Sequence, residues 1–311
     1  MPDWATFAAF ASVVTAGLLI LSFASRGAIL PDDERPHRAV GDGSEDEDGD
    51  GDVRAAPADP EGSSDRARKP SGGTPDHREV VLPKSGVRYR LDPVREDEDE
   101  DGNGVEAGGI PELSTAELLA NVAFSQGLFA VFLLAGAWYA QVPRSAFGAG
   151  PDSLSVPALV GGAALGVVLY VVNQVGAALG AARGLGNAEE LREALAPDTP
   201  AGWVVLLFFV LPLIAGFEEL LFRGALIGAF AAGFGVSPWL LAVVSSVAFA
   251  LGHNAQGRLG VLVTGALGFV LAAAYVLTGS LFAVVLAHYL VNALEFVVHE
   301  GLELDWAGRL T

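Results

Sequence analysis

Two adjacent carboxylates and an arginine stand inside an apolar stretch of this chain, Phe217-Glu218-Glu219-Leu220-Leu221-Phe222-Arg223-Gly224. An apolar run from Trp203 leads into it and another follows it. A charge at the centre of a membrane helix costs roughly 2.5–3.5 kcal/mol on the insertion scale, so charges at that depth face a bundle interior and pair with one another. Glu219 and Arg223 are four residues apart, which puts them on one helix face at the spacing of an ion pair. Glu218 lies about 100° further round the same helix. Its neighbours at i+4 and i−4 are Phe222 and Ile214, neither of which can neutralise it. The pattern gives Glu219 and Arg223 to structure and leaves Glu218 free for chemistry.

Two later stretches supply partners. Of the five histidines, His37 and His77 lie in a polar segment, whereas His253, His288 and His299 lie in or beside hydrophobic runs. Phe249-Ala250-Leu251-Gly252-His253 closes one run, and His288-Tyr289-Leu290-Val291-Asn292 lies inside another. A carboxylate and a histidine, with or without a metal ion, can deprotonate a water. A second histidine and an amide one turn on can hydrogen-bond a developing oxyanion. Glu218 and His253 fit the first task, His288 and Asn292 the second, and the reaction they suit together is peptide-bond hydrolysis. The soluble metalloprotease signature HExxH is absent.

The set EExxxR, FxxxH and HxxxN, in that order and each on its own apolar segment, resembles the three motifs of the CAAX-prenyl-endopeptidase and bacteriocin-processing intramembrane proteases, the CPBP or Abi-like family. The resemblance covers roughly residues 115–300. It implies an intramembrane endopeptidase, glutamate-dependent or metallo, with Glu218, Glu219, Arg223, His253, His288 and Asn292 as its site. It leaves open whether zinc is held, by Glu218, His253 and His288, or no cofactor at all. It also implies a membrane-associated peptide or protein substrate; prenylated C-terminal peptides are the substrate class of the best-known branch.

Taken singly, the same residues have plainer readings. His253 at a span end can face water, and Asn292 can be interhelical glue, as can Asn121, Gln126, Asn173 and Gln174. Glu295 and His299 continue the stripe of His288 and Asn292 at +7 and +11, outside the three motifs. Two rivals come from other classes. A proton- or ion-coupled transporter would use Glu and His as a relay, but should show an inverted repeat with paired broken helices, and the sequence has no such symmetry. A non-catalytic membrane scaffold would have no need of an intact Glu, Arg, His, His, Asn set.

These residues need a scaffold, and composition says which. The chain has 311 residues, is 51% hydrophobic and is only 18% charged, with mean hydropathy +0.44. Apolar runs of about 20 residues cross a bilayer, and backbone groups in lipid must be satisfied internally, which favours helices. The expected fold is all-α: a polytopic transmembrane bundle of about seven spans, an integral protein of the cell membrane with lipid as its main partner. The spans read as Trp4 to Ala24, Ser114 to Tyr139, Val156 to Ala182, Ala201 towards Phe230, Trp239 to His253, Leu259 to Leu277 and Leu281 to Val298. The first is read as a retained helix. Ser114 with Glu117 makes a capping box. Trp4, Trp138, Trp203 and Trp239 lie near span ends, as an interfacial belt requires. Arginines near the span ends favour an outside N-terminus.

Three regions follow: an N-terminal transmembrane helix (1–30), an acidic disordered linker (31–112) and the protease-like domain (113–311). The linker holds most of the chain's 37 acidic residues, with Gly and Pro, and cannot bury enough apolar surface to fold. Its runs at Asp46 and Asp97 imitate an EF-hand start but have Pro57 and Gly108 where the bidentate glutamate belongs. Residues 79–91 form the one stretch in it that reads as a hairpin. Net charge is −19 and the chain has no cysteine, which excludes disulfides and thiolate chemistry. Lys69 and Lys84 are its only lysines. Acidic, lysine-poor surfaces point to high internal salt, as in a halophilic archaeon. There is no basic stripe for nucleic acid.

Overall fold

The computed structural model describes residues 1–29, 78–81, 88–91, 114–181, 192–193 and 195–304. They belong to two units, one of residues 1–37 and 112–311, the other of residues 38–111. The first is a helical bundle. Its long helices are α1 (Trp4–Ile29), α2 (Thr115–Tyr139), α3 (Val156–Ala181), α4 (Pro200–Phe234), α5 (Pro238–Gly252), α6 (Gly257–Thr278) and α7 (Leu281–Gly301). All but α5 are long and apolar enough to cross a membrane. In the second unit, β1 (Arg78–Val81) and β2 (Arg88–Leu91) pair antiparallel, Arg78 opposite Leu91 and Val81 opposite Arg88, so the hairpin expected over residues 79–91 begins one residue earlier. The other residues of 31–112, with both EF-hand-like runs, lie outside the described residues, as do residues 182–191 and 194.

Local chemistry sets the helix ends. Glu117 N donates to Ser114 Oγ, and Ser114 N donates back to the Glu117 carboxylate at 2.8 Å, closing the capping box that opens α2. Thr199 caps α4, accepting from Gly202 N at 3.1 Å, with Pro200 in the first turn. Pro at that position loses no hydrogen bond, because the first amides of a helix have no partner inside it. Between α6 and α7, Gly279 adopts φ +65° and Ser280 accepts from Ala283 N, which turns the chain in two residues.

α4 differs from expectation in two ways. It runs past Phe230, the expected end, to Phe234, and stops where Gly235 takes φ +66°. A helix accommodates one glycine; the left-handed residue is what stops it. It also contains two π-helical stretches, Leu206–Val210 and Leu220–Ala229, where a plain α-helix was expected. Such widened turns are rare and occur frequently at functional sites. The second begins immediately after Glu219.

The pattern of burial is that of a protein in lipid. Phe124, Val131, Val160, Phe208, Phe209, Val247 and Leu262 stand exposed on the outside, while charged residues of the motif lie inside. Lipid is as apolar as leucine, so close packing of small residues has to hold the helices together. The α3–α7 seam shows this. A Cβ on Gly162 would overlap the backbone of Ala283, and one on Gly166 would stand 2.7 Å from Ala287 O. This Gly-x-x-x-Gly face lets α7 approach α3 at backbone distance, one residue before His288.

Candidate active site

Three elements meet around Glu219. Its Oε1 accepts from Arg223 Nη1 at 2.8 Å, the pair expected from their spacing. The same Oε1 stands 2.7 Å from Nδ1 of His288 on α7. A carboxylate oxygen only accepts, so Nδ1 carries the proton and Nε2 is turned away from Glu219. Arg223 Nη2 donates to Gly268 O on α6 at 2.8 Å. Glu219 and Arg223 are both fully buried. One carboxylate thus fastens its own helix to α7 directly and to α6 through the arginine. Burying such charges is tolerable only when they are paired and hydrogen-bonded.

Glu218 points elsewhere, as its angle on the helix requires. It is 6% exposed, and its Oε2 makes no hydrogen bond among the described residues. The group facing it is His288 Nε2 at 3.7 Å. His288 therefore lies between the two glutamates, hydrogen-bonded to one on Nδ1 and presenting Nε2 to the other.

Phe249 of α5 ties in the second histidine. Its ring centroid is 4.5 Å from that of His253, 5.9 Å from that of His288 and 4.6 Å from Arg223 Cζ. His253 caps the end of α5, and its Nδ1 lies 2.9 Å from Phe249 O. A carbonyl accepts only, so Nδ1–H donates to it, and Nε2 keeps its lone pair for another partner. The 15 residues of α5 span about 22 Å, less than the ~30 Å of hydrocarbon.

Asn292 is one turn beyond His288 on α7 and half-buried; its side-chain amide makes no hydrogen bond among the described residues. So Glu218, Glu219, Arg223 and His288 are in direct contact, His253 joins them through Phe249, and Asn292 shares the helix face of His288. Sequence reasoning missed Gly268. A Cβ there would stand 2.8 Å from the Phe249 ring and 3.4 Å from Arg223 Nη2; only a residue without one lets its carbonyl reach the arginine. Its one sign in the sequence is a glycine inside an apolar helix, which is too common to single out.

The continuation of the α7 stripe is not left to water. Glu295 accepts from Gln174 Nε2 at 3.2 Å and from Asn173 Nδ2 at 3.3 Å, and stands 3.7 Å from Arg192. His299 Nε2 lies 2.8 Å from Gln174 Oε1. Asn173 and Gln174 thus serve as the interhelical bonders they were expected to be. The same expectation is corrected on α2, because Asn121 is exposed on the outside of the bundle and the buried Gln126 Oε1 accepts no bond among the described residues.

Among the described residues no three His, Asp or Glu side chains are gathered to hold a metal ion; Glu218, His253 and His288 do not form such a set here.

No curated protein and no solved structure matches the chain. A family model does, over residues 200–294, and it describes a Rce1-like type II CAAX prenyl endopeptidase. The matched stretch runs from the start of α4 into α7 and contains all six residues of the cluster and both helices that face them. The three motifs and this match agree: over residues 200–294 the chain is similar to the Rce1-like type II CAAX prenyl endopeptidase family.

Proposed function

We propose that the protein is an intramembrane endopeptidase that hydrolyses a peptide bond with a water activated by Glu218 and His253. The observation that carries this reading is Glu218 itself: each of the two glutamates has a buried Oε2 without a hydrogen bond among the described residues, but Glu219 is paired with Arg223 at 2.8 Å, whereas the group facing Glu218 is His288 Nε2 at 3.7 Å. A buried charge serving structure alone would be paired as Glu219 is.

In the proposed reaction a water donates one hydrogen to Glu218 and is oriented by the lone pair of His253 Nε2. Its oxygen adds to the carbonyl carbon as the proton passes to Glu218. The carbonyl oxygen becomes an oxyanion that accepts from His288 Nε2–H and Asn292 Nδ2–H. Donation from Nε2 requires an imidazolium, since Nδ1–H is already committed to Glu219. Collapse of the tetrahedral intermediate breaks the C–N bond, and the proton on Glu218 goes to the leaving nitrogen. Glu219 takes no part in proton transfer; it fixes the ring of His288. The substrate is a membrane-associated peptide, of which a prenylated C-terminus is the class the family suggests, and the site of action is the cell membrane.

The test is co-expression with a membrane proteome. New protein termini should appear with the wild type and be absent with Glu218→Ala. Identical sets of termini from the two would overturn the proposal.

A further inference from the structure

α1 lies outside the matched residues and is separated in sequence from α2 by the whole insert, yet it packs against α2, against α5 and against the short turn Asn254–Gln256 that follows His253. Its first half is docked firmly. Phe7, Ala11 and Val14 are buried, the Phe7 and Phe147 rings meet edge to face at 5.3 Å, and Asp3 N donates to Ala140 O. Its second half reaches the active-site end of α5. Ser22 Oγ donates to Gly252 O at 2.6 Å, across 230 residues of sequence. One turn earlier on α1, Leu18 stands at van der Waals distance from Gly252, 3.8 Å from where a Cβ would be.

The place of that hydrogen bond matters. The last carbonyls of a helix have no partner within it and take one from a side chain, water or a tightened turn. Gly252 is the last residue of α5, and His253 is its C-cap, with its own N–H turned back to Ala250 O and Leu251 O. The peptide that joins Gly252 to His253 therefore has its oxygen held by α1 and its nitrogen held by α5. The ring is in turn aimed by Nδ1 on Phe249 O. If the Gly252 carbonyl swings free, the backbone that carries His253 swings with it, and the Nδ1 contact goes too.

We propose that α1 is a positioning element of the active site, and that Ser22 is the positioning residue through which it fixes His253. The role assigned to His253 rests on the endopeptidase reading above, whereas the orientation of its ring can be measured without any activity. The experiment uses the full-length protein with ¹⁵N-labelled histidine in detergent, the His253 signal being identified by its loss in His253→Gln. The variants are Ser22→Ala and Ser22→Thr, the second keeping the hydroxyl. Wild type and Ser22→Thr should show His253 with the proton on Nδ1, and Ser22→Ala a mixture of tautomers. In cleavage assays Ser22→Ala should lower kcat about ten- to a hundredfold, as a misplaced group does, with KM within about twofold and the folded fraction unchanged. A wild-type His253 signal in Ser22→Ala overturns the proposal, and so does a kcat loss that only follows the loss of folded protein. If the tautomer shifts but no variant nor the wild type cleaves anything, the positioning contact stands and the proteolytic reading falls.

Discussion

At the scale of single residues, the division of labour between two neighbouring glutamates decides the chemistry. Glu219 is bound on Oε1 by both Arg223 and His288, so removing either member of the ion pair strands a buried charge. Glu219→Ala and Arg223→Ala should each cost ~3–5 kcal/mol, the range for broken buried pairs. The double variant should cost less than the sum of the two, which thermal unfolding in detergent would show as a coupling energy; strict additivity would mean the pair does not hold the site together. The pair was legible in the sequence because i,i+4 spacing on a helix is a local fact. The bond from Glu219 to His288 was not, for it joins residues 69 positions apart and depends on how α4 and α7 cross. Nor was the carbonyl of Gly268, since backbone acceptors leave no mark on side-chain identity.

At the scale of elements, the position of His288 depends on the seam between α3 and α7. Gly166→Leu would put a Cβ within 3.0 Å of the backbone of Ala287 and force the helices apart, against ordinary overpacking costs of roughly 1–3 kcal/mol. The expected outcome is a protein that still folds, with a lower unfolding temperature and greatly reduced cleavage. Gly161→Leu is the control. It has open space beside it and should leave both unchanged. Helix number, order and most boundaries could be read from hydropathy, capping residues and tryptophans, as the Ser114 box and the Gly279–Ser280 turn illustrate. The π-helical stretches of α4 could not. Over ten nearly uniformly apolar residues, a 3.6-residue turn and a wider one bury the same side-chain types, so no periodicity separates them. That His288 would lie between the two glutamates was not legible either.

At the scale of the whole molecule, a compact membrane bundle carries a long acidic segment between its first helix and the rest. Its charge and its Gly and Pro content argue that it adds no packed core, and loop closure grows only slowly more costly with length. Deleting residues 40–75 should therefore leave membrane insertion and cleavage as they are, measured by fractionation and by the appearance of product termini; loss of either would give the segment a folding or substrate-binding role. The account as a whole turns on Glu218. Glutamine keeps its size and its polar contacts but cannot take a proton from water. The most direct measurement is the turnover of purified Glu218→Gln beside its unfolding temperature, with Glu219→Gln in parallel. The account predicts that Glu218→Gln unfolds at the wild-type temperature and has lost cleavage by a factor of at least about 100, while Glu219→Gln is destabilised. Retained cleavage in Glu218→Gln, with activity lost from a fully stable Glu219→Gln, would contradict it and reverse the roles of the two glutamates.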